Sequence, residues 1–250
     1  MTYEQLQFLM MAFVRAGALL SLAPVFSGRT IPARIRVILC LFLAYSASGR
    51  LPSHAPLCTD VVTLILAAAH EMLIGLLMGL GVRLIFYAIE MAGQLISTEI
   101  GLVMSAQIDP ISQQNSTPIG TLLFYFGSLL FLLSGAHHAM FLAFIRSFEL
   151  APPGAISMNS HAGELFVTTS GNIFLIAVQM AAPLMAINFI ITFTFAILGK
   201  AAPSINVFSE SAPVRIMAGL ALLGLTFGLT AQLVLSHIHD SPELMLRLIP

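Results

Sequence analysis

The chain has 250 residues, of which 58% are hydrophobic and only 8% charged, with a net charge of −1. A soluble domain carries about a quarter of its residues as charges, so this chain cannot cover a water-facing surface of its size, and lipid or protein must supply the solvent. The near-zero charge offers nothing to nucleic acid.

In chain order, the apolar runs are Leu6–Phe26, Val61–Val82, Leu84–Ile100, Ile119–Ile145, Asn172–Leu198 and Val214–Leu235, with Val37–Ala47 a shorter candidate. A helix rises about 1.5 Å per residue and needs about 20 residues to cross the hydrocarbon core. The runs therefore predict an all-α, polytopic membrane-type protein built of helical hairpins.

Leu6–Phe26 holds Arg15 inside the run rather than before it, unlike a cleaved signal peptide. It is read as a retained span. Arg29, Arg34 and Arg36 favour a cytoplasmic first loop, whereas Arg50, Lys200 and Arg215 disagree, so orientation stays open. The cysteines, Cys40 and Cys58, are read as separate small residues rather than a disulfide.

In the second run, Glu71, Gly75, Gly79 and Arg83 recur every four residues and form one ridge. Gly75 and Gly79 are a small-xxx-small pair that lets another backbone approach. Glu71 is placed to meet a cation, and Arg15 is the candidate; if the two pair, swapping the charges is expected to restore assembly. In the third run, Tyr87, Glu90, Gln94, Ser97 and Gly101 form a polar seam on an otherwise apolar helix. A carboxylate at mid-bilayer costs roughly 2.5–3.5 kcal/mol on insertion scales, so Glu90 needs a partner or a wet cavity. The seam either lines a conduit or assembly interface, or closes as an internal helix contact.

Gly101–Pro118 reads GLVMSAQIDPISQQNSTP, with one charge, Asp109, and neutral side chains such as Gln107, Gln113, Gln114 and Asn115. It is either an exposed connector or backbone tucked into a protein cavity, where amides find partners and charge is costly. Pro110, Pro118 and Pro183 predict bent or discontinuous helices. Gly199–Pro213 makes a hairpin with a polar tip, followed by a second small pair, Gly224 and Gly228.

No chemistry-bearing motif stands out. His137 and His138 diverge by about 100° on a helix, and His237, His239 and Asp240 lack any zinc-site spacing. Nucleophile elbow, phosphate loop and paired acid/base carboxylates are missing from the sequence. The reading is a non-enzyme with no metal and no cofactor.

From about Leu6 to Leu235 the chain resembles the FliR family of flagellar export-gate proteins and its injectisome T-subunit relatives. The likeness rests on Arg15 with Pro24 and Pro32, on Gly75 and Gly79 after Glu71, and on Gly93 and Gly101. It continues with Gln107-x-Asp109-Pro110, Gly135-Ala-His137, Ser147 with Pro152, and Pro183. Pro203-x-x-Asn206-x-Phe208 is its most specific part; Ser204 and the polar Ser209–Pro213 stretch depart from the family pattern.

The resemblance implies a single-copy subunit assembled with P and Q subunits into a helical hetero-oligomeric gate in the bacterial inner membrane. It implies a P-like portion over residues 1–170 and a Q-like hairpin and tail over 171–250. Within the first, the loop at 105–118 resembles a plug, with Gln107, Asp109, Pro110, Gln113, Gln114 and Asn115 at the pore. Arg15, Glu71, Gly75, Gly79, Glu90, Gln94, Ser97, Pro203, Asn206 and Phe208 are the expected interface or seam residues. The expected activity is passage of unfolded export substrates. The rival from another class is an ion-coupled secondary transporter using Glu71, Glu90 and Arg15 as a relay, against which the absence of two related halves in the sequence counts.

Overall fold

The computed structural model describes residues 3–28, 31–49, 60–102, 117–153, 161–202 and 206–249. Among them are eight helices and no strands. They are α1 (Tyr3–Leu22), α2 (Pro24–Ser27), α3 (Ala33–Ser48), α4 (Val61–Ile100), α5 (Pro118–Leu133), α6 (Ala136–Leu150), α7 (His161–Ala201) and α8 (Val207–Arg247).

The helices differ from the apolar runs for local reasons. Val61–Val82 and Leu84–Ile100 are one 40-residue helix. Arg83 interrupts the hydropathy but is a good helix former, so the backbone does not break there. Ile119–Ile145 is two helices bent by 68°. The break falls at Gly135, whose φ of +73° lies in the left-handed region that glycine adopts without strain. The first run ends at Leu22, and Pro24 opens α2 at a first-turn position where its missing N–H costs nothing. By contrast α7 stays helical through Pro183, so of the bend or break expected at that proline the break does not occur.

By length and hydropathy, four described helices suffice to cross a membrane, or five if the bent pair is one span.

The chain folds into two compact units. The first comprises residues 1–85, 131–170 and 237–250. In it α3 folds back on α1 and also meets α6. Along α4, a Cβ at Gly75 would run into the Arg15 carbonyl oxygen and lie 2.7 Å from the Ala18 Cβ. One turn on, a Cβ at Gly79 would lie 2.7 Å from the Leu19 carbonyl oxygen. The predicted small-residue ridge is therefore where α1 and α4 touch backbone to backbone, running in the same direction. Phe8 and Phe144 pack on Phe148, each with ring centroids at 5.3 Å.

The second unit comprises residues 86–130 and 171–236. Here α5 runs antiparallel to α4: Phe124 packs on Phe86, and a Cβ at Gly127 would meet Ile89. Further along, a Cβ on Gly93 would run into the Gly120 backbone, and one on Gly120 would lie 2.9 Å from Thr117 Oγ1. Gly219 of α8 lies against Ile100, and the Phe227 and Phe126 rings pack at a tilt with centroids 4.2 Å apart. The units are discontinuous in sequence, because α4, α5, α7 and α8 each contribute residues to both.

Candidate functional site

Polar side chains gather at two places, one in each unit. In the first unit Arg15, fully buried, reaches from α1 to α4 and α6. Its Nε and Nη2 donate to the two carboxylate oxygens of Glu71 at 2.6 and 3.0 Å. Nη1 donates to Ser147 Oγ at 2.8 Å and Nη2 also to the Ala151 carbonyl at 2.9 Å. The guanidinium carbon lies 4.0 Å from the centre of the Phe148 ring. Arg15 and Glu71 are both 0% exposed. A guanidinium suits this position because its planar fork serves a carboxylate bidentately while its face rests on an aromatic ring.

The Arg15–Glu71 pairing read from the sequence is thus an intrachain one. Both charges are covered by their own chain rather than presented to a neighbour. Sequence reasoning left Ser147 and Ala151 out of the centre. Spacing could not reveal them, since they come from the far side of the helix break at Gly135.

In the second unit the α4 seam changes character along its length. Tyr87 and Gln94 are exposed, Glu90 is half-buried and Ser97 is fully buried. Ser97 Oγ finds no partner among the described residues. The seam ends in a left-handed cap: Gly101 has φ +88°, and the Leu102 and Gly101 amides both bond the Ser97 carbonyl. Close by, Asn188 of α7 donates through Nδ2 to Glu99 Oε2 at 2.5 Å. This clasp was missed, although a carboxylate and an amide each standing in an apolar run are the signal that finds it.

The segment after Gly101 returns at Thr117, whose hydroxyl donates to the Gly93 carbonyl at 3.4 Å and accepts from the Gly120 amide at 3.1 Å. That serves the first turn of α5 as an N-cap serves any helix. Gln107, Asp109, Pro110, Gln113, Gln114, Asn115 and Pro203 lie outside the described residues. Asn206 precedes α8, where its Oδ1 accepts from the Ser209 amide at 3.4 Å and its carbonyl from the Glu210 amide at 3.1 Å. A residue singled out for a signature thus has a local capping role. Phe208 lies in the first turn of α8.

The His137 and His138 rings are 4.0 Å apart rather than divergent. They open α6, where no preceding turn restricts their rotamers. Among the described residues no three His, Cys, Asp or Glu side chains are placed to hold a metal.

The geometry is that of helices clasped by polar pairs, one buried and one half-buried, with the buried Ser97 hydroxyl near the start of one neutral segment. Residues 6–241 match the model for bacterial export proteins, family 1. The chain belongs to this family. Within it, the chain is similar to the flagellar biosynthetic protein FliR of Caulobacter vibrioides, at 29% identity covering 86% of each chain. It is 30% identical to the FliR protein of Pectobacterium carotovorum, covering 91% of this chain and 88% of the relative. The Yop proteins translocation protein T of Yersinia pestis is 29% identical over 62% of this chain and 60% of its own. This member of the FliR family therefore has an all-α fold with several membrane-capable helices, as the sequence led us to expect.

Proposed function

We propose that this chain is a non-enzymatic, single-copy pore subunit of the flagellar type III export gate in the bacterial inner membrane. It assembles with P and Q subunits, and unfolded export substrates pass through the channel they form. The observation that carries this reading is the family match over nearly the whole chain, together with relatives named for flagellar biosynthesis and for Yop translocation. The flagellar relatives cover more of the chain than the injectisome one, which favours the flagellar system over an injectisome T subunit.

In this reading residues 1–170 are the P-like portion, 171–250 the Q-like hairpin and tail, and 105–118 the plug. Two features support the plug. The segment is nearly chargeless and rich in amides, as backbone lodged in a cavity must be. Its ends are anchored, at the Gly101 cap and at Thr117 on Gly93. Energy for transport comes from partner proteins.

Deleting Gln113–Ser116 in cells making the full gate is expected to leak ions or small molecules before secretion begins. Unchanged permeability with normal assembly would remove the plug assignment. A native mass of the purified gate is expected to contain one copy of this chain alongside several P and Q copies.

A further inference from the structure

Between α1, α3 and the start of α4 runs an open groove of about 420 Å³. Leu9, Phe13 and Val14 of α1, Leu41 of α3, and Ile65 and Ala68 of α4 are among its walls, and every lining side chain is apolar. All belong to the first compact unit. Met10, Leu41 and Ile65 are exposed at its rim, on helices of which α1 and α4 are apolar enough to cross a membrane. The groove's side chains thus offer no hydrogen bond. Its volume lies in the range of small-ligand pockets, roughly 300–1,000 Å³, well above the hole that one side-chain knob of a neighbouring helix fills.

A cationic residue is aligned with it. Arg34 precedes Leu41 by seven residues, two turns of α3, so the two share a face about 10 Å apart. Val37 and Ile38, exposed, cover the stretch between them. A cation, an apolar track and an apolar groove in that order match a phosphate followed by a hydrocarbon chain.

We propose that the groove is a binding site for one membrane phospholipid, its acyl chain lying among α1, α3 and α4 and its anionic headgroup held by Arg34. The site goes beyond the gate reading and does not depend on it. Lipid bound there would keep the apolar walls from collapsing and hold α3 at a fixed distance from the start of α4.

Bacteria are fed a fatty acid carrying a diazirine near mid-chain. Their membranes are illuminated, and the full chain is isolated with whatever it is bound to and digested for adduct mapping. Adducts are expected to concentrate on residues 9–14, 41 and 64–68. Ala68→Phe, which fills the groove, is expected to abolish most of that signal while adducts on the exposed faces of α7 and α8 persist. If Ala68→Phe does not accumulate, Val14→Phe fills the same space, and the wild-type map stands without either. In native mass spectra of the same preparation, Arg34→Gln is expected to lower the share of retained anionic phospholipid. Adducts spread evenly over all exposed apolar faces would mean bulk lipid only. A photoreactive residue at Ile65 that captures only protein would mean that a neighbouring helix fills the groove. Either result overturns the proposal.

Discussion

Arg15 illustrates how a charge is kept inside an apolar protein. Four of its donor contacts are made, to two carboxylate oxygens, a hydroxyl and a backbone carbonyl, and its face rests on Phe148. Desolvating two charges is costly, and only complete pairing offsets it, so such a pair contributes less than its short distances imply. Removing one partner is a different matter. Arg15→Leu strands the Glu71 carboxylate at 0% exposure and is expected to cost about 3–5 kcal/mol. The measurement is the thermal aggregation midpoint and membrane abundance of the variant. The double variant Arg15→Met, Glu71→Leu should recover a good part of that loss, because neither charge is then left alone. The charge swap is expected to fail, contrary to the sequence-based expectation. Ser147 Oγ and the Ala151 carbonyl accept from the cation on α1; the carbonyl has no proton to give a carboxylate there, and the Ser147 hydroxyl proton already goes to the Phe144 carbonyl. A swap that restores full stability would show that these two contacts contribute nothing.

At the scale of elements, glycines decide which helices can touch. Gly75 and Gly79 bring α4 onto the α1 backbone, and Gly93 and Gly120 let α4 and α5 cross at close range. Gly224 and Gly228, the other small-xxx-small pair, have nothing within 4 Å of where a Cβ would stand. The same motif is therefore a helix contact in one place and an open surface in another. Gly75→Val and Gly93→Val must push backbones apart and are expected to abolish accumulation of the chain in the membrane. Gly224→Ala should leave accumulation unchanged, and if it affects assembly with other subunits, that face is where they dock. Immunoblots of membranes from cells co-expressing the gate subunits, with pull-down of those subunits, separate the two effects. Loss of Gly224→Ala to the level of Gly75→Val in those membranes would contradict the open surface.

For the whole molecule, the distribution of burial is the telling feature. The apolar window of α4 is 61% buried within the chain, but those of α7 and α8 are only 22% buried. Phe174, Phe189 and Phe193 on α7, with Met217, Leu225 and Leu229 on α8, are all more than half exposed. Contiguous apolar surface on this scale belongs against lipid or other proteins. A secondary transporter would be stable alone or as a small homo-oligomer. An export-gate subunit is expected to be degraded or to aggregate when expressed alone, and to accumulate when P and Q subunits are made with it. A monodisperse, stable chain in detergent without them would count against the gate assignment.

The sequence by itself determined the class of protein. So little charge over 250 residues leaves no soluble alternative, and run length and periodicity then yield helices, because in hydrocarbon each backbone group must bond within its own helix. It also marked Arg15, Glu71 and the Gly75–Gly79 pair, since a charge or a regularly spaced glycine in an apolar run is conspicuous against its surroundings. The tertiary structure decided what hydropathy cannot encode. Arg83 lies within a continuous helix and Gly135 ends one, because the backbone answers to propensity and φ rather than to polarity. Ser147, Ala151, Glu99 and Asn188 became part of polar centres only through contacts between segments far apart in the chain. Such contacts depend on how helices pack, and local spacing carries no information about them.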